Sequence, residues 1–254
     1  MANKYVGKME GKVAIVTGGT KGIGAAIVEK ILAEGGQVVF TSRKEAEGAA
    51  KLAELNTENA AYIVADATSK EDWAKVVAYT LEKFGKITSL VNNAGVCPSA
   101  PIMDITEEGL INTFKINVVS QLLGMQAVHD AMVANGGGAI VNFASPSARV
   151  GGLGMGEYTA TKHAVEGLIK CAAGEWGLEG IRVCGVIPGI TITAMTNDPA
   201  ILPFMEAGAK LYPLGRVANA DEIAPTVVFM LSDEASFMTG STTLVDGGQL
   251  CLSR

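Results

Sequence analysis

Tyr158 and Lys162 stand four residues apart in Tyr158-Thr159-Ala160-Thr161-Lys162, and Ser145 lies thirteen residues upstream of the tyrosine. On a helix, positions i and i+4 share one face, so the phenol and the ammonium would project into the same site. A phenol with an unperturbed pKa of about 10 is a poor acid–base catalyst at neutral pH. A neighbouring cation favours the phenolate, so Lys162 is expected to bring the Tyr158 pKa down toward a useful range. A serine hydroxyl nearby could hydrogen-bond a carbonyl or alcohol oxygen held over the phenol. The three groups suit proton transfer to or from an oxygen atom. Tyr-x-x-x-Lys is also a common pattern on plain helix surfaces, and its weight here comes from what precedes it.

The chain opens with a short apolar run, Val13-Ala14-Ile15-Val16, suited to a strand buried on both faces. Thr17-Gly18-Gly19-Thr20-Lys21-Gly22-Ile23-Gly24 follows directly, then a helical stretch to about residue 34. Glycines allow a tight turn and close approach of the backbone to a pyrophosphate, while the helix N-terminus offers amide donors and a positive dipole end. Further apolar runs at 38–41, 62–65, 90–92, 139–143, 182–187 and 242–245 read as strands. Helical patterns at 69–84, 107–135, 157–178 and 221–231 lie between most of them. This alternation predicts a mostly parallel sheet covered by helices on both faces. Ligands of such folds bind beyond the carboxyl ends of the strands, where the glycine loop, Asn92, Ser145 and Pro188 fall. Residues 136–138, all glycine, read as a helix-to-strand turn. With no repeat or linker in view, residues 1–254 are expected to form a single domain.

The composition narrows the function classes. A chain of 254 residues, 48% hydrophobic and 18% charged, is globular and long enough for a substantial core. A formal charge of −6 offers no basic surface for nucleic acid. With no apolar stretch of membrane-spanning length and no leader pattern, a cytoplasmic location is expected. Cys97, Cys171, Cys184 and Cys251 are scattered and read as reduced, partly buried thiols. His129 and His163 belong to no ligand cluster, and no catalytic metal is expected. His163 would point about 100° away from Lys162 on a helix, remote from the chemistry.

The ordered motifs resemble the short-chain dehydrogenase/reductase family, in its compact single-domain branch, from about residue 11 to 248. The Thr17–Gly24 loop, Asn92-Asn93-Ala94-Gly95, Asn117, Ser145, Tyr158-x-x-x-Lys162, Pro188-Gly189 and Val245-Asp246-Gly247-Gly248 all match family motifs in order. The resemblance implies a Rossmann-like, doubly wound, seven-stranded parallel sheet and a catalytic tetrad of Asn117, Ser145, Tyr158 and Lys162. In that reading Tyr158 exchanges a proton with the substrate oxygen, and Ser145 orients and polarises that oxygen. Lys162 lowers the Tyr158 pKa and hydrogen-bonds the nicotinamide ribose, and Asn117 holds a water that links Lys162 to solvent. The cofactor contacts implied are Gly18, Thr20, Lys21, Gly22, Ile23, Gly24, Ser42, Arg43, Asp66, Asn92, Ala94, Gly95, Tyr158, Lys162, Pro188, Gly189, Ile190 and Thr193.

Cofactor choice turns on the end of the second strand, Thr41-Ser42-Arg43-Lys44. Family members that prefer NAD place a carboxylate where Ser42 stands. The guanidinium of Arg43 and the ammonium of Lys21 suit a 2′-phosphate, favouring NADP over NAD. Their competing reading is as ordinary solvated cations. The segment at about 191–214 is where the family covers its substrate, and here it carries Met195, Phe204, Met205 and few charges. With Ser145, Pro146 and Met155 shaping the other walls, a bulky apolar alcohol or ketone is expected, such as a hydroxysteroid or an alicyclic alcohol. Asn142–Ser145 and Gly174–Gly177 are also similar to stretches of bacterial hydroxysteroid dehydrogenases. Two alternatives stay open: a 3-oxoacyl-carrier-protein reductase and, from another class, a non-catalytic NADP-binding regulator. The resemblance also implies a homo-oligomer, most often a tetramer.

Overall fold

The computed structural model describes residues 7–193 and 202–251. Seven strands form one parallel sheet: β1 Val13–Thr17, β2 Gln37–Ser42, β3 Ala60–Val64, β4 Ser89–Asn92, β5 Gly138–Phe143, β6 Ile181–Pro188 and β7 Thr242–Val245. Their order is β3-β2-β1-β4-β5-β6-β7, so the winding reverses between β1 and β4. A crevice opens at that reversal beyond the carboxyl ends, because the connections on either side leave in opposite directions. Every residue of β1 is buried, as an apolar run covered on both faces requires.

Helices cover both faces. On one, α1 Gly22–Ala33 and α8 Ala224–Leu231 pack Ile27, Ile31, Val227 and Leu231 against Val16, Phe40 and Val141. On the other, α3 Lys70–Phe84, α5 Ser120–Ala134 and α6 Gly156–Trp176 bring Trp73, Met125, Met132, Val165 and Ile169 onto Ile15, Leu90 and Ile140. Ser69 caps α3 by accepting the Asp72 amide, and Gly85 ends it at φ +78. The turn into β5 needs glycine: Gly137 has φ +126, and a Cβ there would lie 2.3 Å from the Gly180 carbonyl oxygen.

The doubly wound parallel sheet is as expected, with three local differences. β3 starts at Ala60 and stops at Val64, since Ala60 and Ala61 join the ladder opposite Val38 and Val39 despite their weak strand preference. The single helix expected over 107–135 is α4 Glu107–Phe114, a π-helical turn Lys115–Val119, and α5. There the Asn117 side chain is drawn to the loop after β4, and a π turn accommodates the extra residue. Two further helices were not expected, α2 Glu45–Leu55 and α7 Leu202–Ala209. No helix among the described residues is long and apolar enough to cross a membrane. The four cysteines are free, but Cys97, Cys171 and Cys251 are exposed and only Cys184 is buried, where partial burial was expected.

Candidate active site

A cleft of about 880 Å³ runs along the carboxyl edge of the sheet, from the glycine loop to Met155 and Met205. At its centre stand Ser145, Tyr158 and Lys162. Ser145 follows β5 directly and is 8% exposed. Its Oγ accepts the Ser147 amide at 3.2 Å, which fixes the turn and leaves the hydroxyl proton to donate elsewhere. Tyr158 lies in the first turn of α6, and Lys162 one turn on. Lys162 Nζ donates to the Phe143 carbonyl oxygen at 2.7 Å and lies 5.3 Å from the centre of the Tyr158 ring. The i, i+4 spacing thus brings phenol and ammonium together as expected.

Their electrostatics differ from expectation. Burial pushes the Tyr158 pKa up to about 12, against a hydrogen bond from Ser145 that pulls the other way, and Cys97 adds to the rise. Burial pulls Lys162 down to about 8, with Cys97 opposing. The ammonium is directed at Phe143, so desolvation governs the phenol and not the neighbouring cation. A phenol held protonated at neutral pH is a proton donor, which suits reduction of a carbonyl. Removing a proton from an alcohol requires the phenolate and therefore more alkaline conditions.

Asn117 is fully buried in the π turn. Its Oδ1 accepts the Val96 amide at 2.8 Å, and its Nδ2 donates to the Val96 carbonyl at 2.8 Å and to Thr161 Oγ1 at 3.2 Å. The side chain therefore ties the loop after β4 to α6, the helix that carries Tyr158 and Lys162. The Asn117 carbonyl oxygen accepts Gln121 Nε2 at 3.0 Å.

At the other end of the cleft, Gly18, Thr20, Lys21, Gly22 and Ile23 form its floor. Gly18 and Gly22 have φ of +67 and +57, and no side chain caps the start of α1. First-turn amides without a side-chain acceptor, behind a left-handed glycine turn, fit a pyrophosphate. Gly24 does not line the cleft as expected. It is packed against the loop, where a Cβ would lie 2.2 Å from the Gly18 carbonyl oxygen. Ser42, Arg43 and Asp66 line this end; the Ser42 hydroxyl lies 3.0 Å from the Tyr62 hydroxyl, and Asp66 Oδ1 accepts the Thr68 amide at 2.8 Å. Ala94, Gly95, Pro188, Gly189, Ile190 and Thr193 line the middle.

Asn92 is the clearest correction. It is 2% exposed inside the sheet, where Nδ2 donates to Asn142 Oδ1 at 2.8 Å and to the Gln121 carbonyl at 3.1 Å. Asn93 reaches the cleft instead, because successive residues of an extended chain point to opposite sides. Its Nδ2 donates to the Thr17 carbonyl at 2.9 Å and braces the glycine loop.

Pro146, Met155 and Met205 line the substrate end, whereas Phe204 is 80% exposed and off the cleft wall. Neighbours on α7 point about 100° apart, so only one of Phe204 and Met205 can face inward. Met195 lies outside the described residues. His163 is bound to the Thr159 carbonyl on the outside of α6, remote from the chemistry as expected. Among the cleft residues that went unread in the sequence are Cys97, which directly follows the Asn92–Gly95 motif and Val96, and Glu47, one helical turn beyond Arg43.

Known proteins share this architecture. A family model described as Enoyl-(Acyl carrier protein) reductase matches residues 18–249. Over 242 residues the chain is 38% identical to the 3-alpha-(or 20-beta)-hydroxysteroid dehydrogenase of Mycobacterium tuberculosis, spanning 95% of this chain and 90% of that protein. It is 39% identical over 248 residues to the 2,5-dichloro-2,5-cyclohexadiene-1,4-diol dehydrogenase of Sphingobium indicum, spanning 94% of this chain and 97% of that protein. A solved structure described as a short chain dehydrogenase/reductase family protein superimposes with a TM-score of 0.85 at 38% identity, covering 96% of this chain and 100% of that one. A likeness that runs nearly the length of both chains, with a family model matching residues 18–249, places this chain in the short-chain dehydrogenase/reductase family, whose members are NAD(P)-dependent oxidoreductases of alcohols and carbonyls.

Proposed function

We propose that the protein is an NADP-dependent oxidoreductase interconverting a secondary alcohol and a ketone, with a bulky apolar substrate such as a hydroxysteroid or alicyclic alcohol. The observation that carries this reading is one continuous cleft with two unlike ends. Ser145, Tyr158 and the apolar Pro146, Met155 and Met205 lie at one end, and Lys21, Arg43 and Lys44 at the other. Arg43 is exposed and makes no ion pair among the described residues, which leaves its guanidinium available to a 2′-phosphate. The names of the hydroxysteroid and cyclohexadienediol relatives support the alicyclic substrate.

Ser145 donates its hydroxyl proton to the substrate oxygen and fixes it over the Tyr158 phenol, stabilising the charge that develops there. Tyr158, protonated at neutral pH, transfers its proton to that oxygen during reduction and takes one back during oxidation. Lys162, charged below about pH 8, stabilises the phenolate left behind and would hydrogen-bond the ribose of a bound cofactor. Asn117 holds α6 against the loop after β4 and keeps open the route by which the proton is replaced. Lys21, Arg43 and Lys44, with the glycine loop, would hold the nucleotide, Asp66 would take the adenine amino group, and Thr193 and Ile190 would lie against the nicotinamide. NADPH supplies the hydride when bound.

The chain is a single domain with a substrate-covering segment at about 191–214, and it works in the cytoplasm. Exposed Met103, Leu153 and Phe237 offer apolar surface for assembly as a homo-oligomer, and the tetramer rests on the family resemblance. A second reading is a 3-oxoacyl-carrier-protein reductase; the description of the matching family model, an enoyl reductase, shares with it the acyl-carrier-protein substrate but not the carbonyl that is reduced. The deciding experiment follows NADPH and NADH oxidation over steroid ketones, small cyclic ketones and an acetoacetyl thioester. Turnover of a steroid or cyclic ketone with NADPH is expected. Preference for the thioester would move the assignment to acyl-chain reduction, and preference for NADH would remove the role given to Arg43. NADPH binding without turnover of any substrate would leave only a nucleotide-binding regulator.

A further inference from the structure

At the adenosine end, two cations converge on one carboxylate. Lys44 Nζ lies 2.9 Å from Glu47 Oε1, and Lys21 Nζ lies 3.6 Å from Glu47 Oε2. Glu47 belongs to the first turn of α2, and its side chain, 35% exposed, forms part of the cleft wall beside Ser42 and Arg43. Three cations and one carboxylate therefore share the place where a ribose 2′-substituent would sit. The hydrogen bond from Lys44 holds the Glu47 carboxyl below its ordinary range, so it is ionised at neutral pH.

We propose that Glu47 is a specificity-determining residue: an internal anion that occupies Lys21 and Lys44 and sets how strongly the protein prefers NADP(H) over NAD(H). The inference rests on the cofactor reading above. A phosphate monoester carries close to two negative charges at neutral pH. To reach Lys21 and Lys44 it must share them with Glu47 and bear the repulsion of that carboxylate. A ribose with a free 2′-hydroxyl meets no such repulsion and can donate a hydrogen bond to Glu47. The carboxylate therefore lowers affinity for the phosphorylated cofactor while leaving the unphosphorylated one untouched or slightly favoured. The plainer role for Glu47 is to complement the positive end of α2. Glu45 has that same role, in the same turn, but is exposed and does not line the cleft. The two glutamates thus separate a local effect on the 2′-position from a general effect on the helix.

The test measures dissociation constants of adenosine 2′,5′-bisphosphate and AMP, which differ only by the 2′-phosphate, by calorimetry on the wild-type protein, Glu47→Gln and Glu45→Gln. Melting temperatures verify that all three are folded. Glu47→Gln is expected to raise the preference for the 2′-phosphorylated ligand about three- to tenfold, as removal of one unit charge across a few ångströms of wet surface would. The shift should shrink at high salt, and Glu45→Gln should stay within about twofold of wild type. An unchanged ratio in Glu47→Gln, or an equal shift in Glu45→Gln, overturns the proposal. If the wild-type protein itself prefers AMP, the NADP reading falls, while the role of Glu47 still stands or falls on the change in the ratio.

Discussion

Lys51 on α2 and Lys162 on α6 are almost equally buried, at 7% and 4% exposure, in surroundings that could hardly differ more. Lys51 Nζ donates to Glu29 on α1 and to Glu54 one turn along, the latter at 2.9 Å. Burial pulls its pKa down, but the two carboxylates outweigh burial and the net shift is upward. Among the described residues Lys162 has no carboxylate partner, only the Phe143 carbonyl, and burial wins, to about 8. A buried charge with ionic partners fastens two helices together. A buried charge without them is costly, and such groups collect where chemistry needs them. The cost has a sign and a window. The folded pKa of Lys162 lies below its unfolded value of 10.5, so the unfolded chain binds the extra proton between about pH 8 and 10.5. Stability rises with pH across that window, and below it the buried charge costs about 3 kcal/mol.

The largest test of this contrast is Lys162→Met. Ketone reduction should fall by about a thousandfold, as for loss of a group that supports general acid catalysis. The melting temperature at pH 7 should hold or rise, with the difference from wild type narrowing toward pH 10. A melting temperature several degrees below wild type at pH 7 would show that the charge is not held at a cost.

A second test supplies the missing carboxylate. In the wild-type protein, kcat/KM for reduction should hold through neutral pH and fall above about 8 as Lys162 loses its proton. Cys97→Asp places a carboxylate where the thiol already influences both Tyr158 and Lys162, so the alkaline fall should move up by about one unit or more. A pH profile that does not move would mean the fall belongs to another group. The smallest effect belongs to Lys51→Met. Glu29 and Glu54 are both more than half exposed, so neither is left buried and unpaired. Denaturant unfolding should show a loss of about 1 kcal/mol with kcat/KM unchanged. A larger loss, or a change in turnover, would make Lys51 more than a fastener.

How much of this was legible in the sequence depends on what each feature rests on. The strands were legible because apolar runs buried on both faces leave little ambiguity, and the glycine loop because left-handed turns and close backbone contacts admit few other residues. Tyr158 and Lys162 were readable from helical spacing only once the glycine loop upstream gave that spacing weight. What escaped was set by contacts between segments distant in the chain. Asn92 and Asn93 are chemically identical, and only the pairing of Asn92 with Asn142 of β5 decides which one faces the cleft. The π turn at Lys115–Val119 answers to Val96 and Thr161, far from it in sequence. The pKa of Tyr158 follows the packing around it, which spacing cannot report. Glu47 had a local signal, since its register relative to Arg43 and Lys44 puts it on the same side of the β2–α2 turn.

The most direct measurement compares kcat/KM for NADPH-dependent reduction of a cyclic or steroid ketone in wild type and Tyr158→Phe, with NADPH affinity measured in parallel. The variant loses only the phenolic hydroxyl. Turnover reduced by at least about a thousandfold, with cofactor affinity within a few-fold of wild type, is the expected result. Turnover within tenfold of wild type would contradict it, because the proton would then come from a group other than Tyr158.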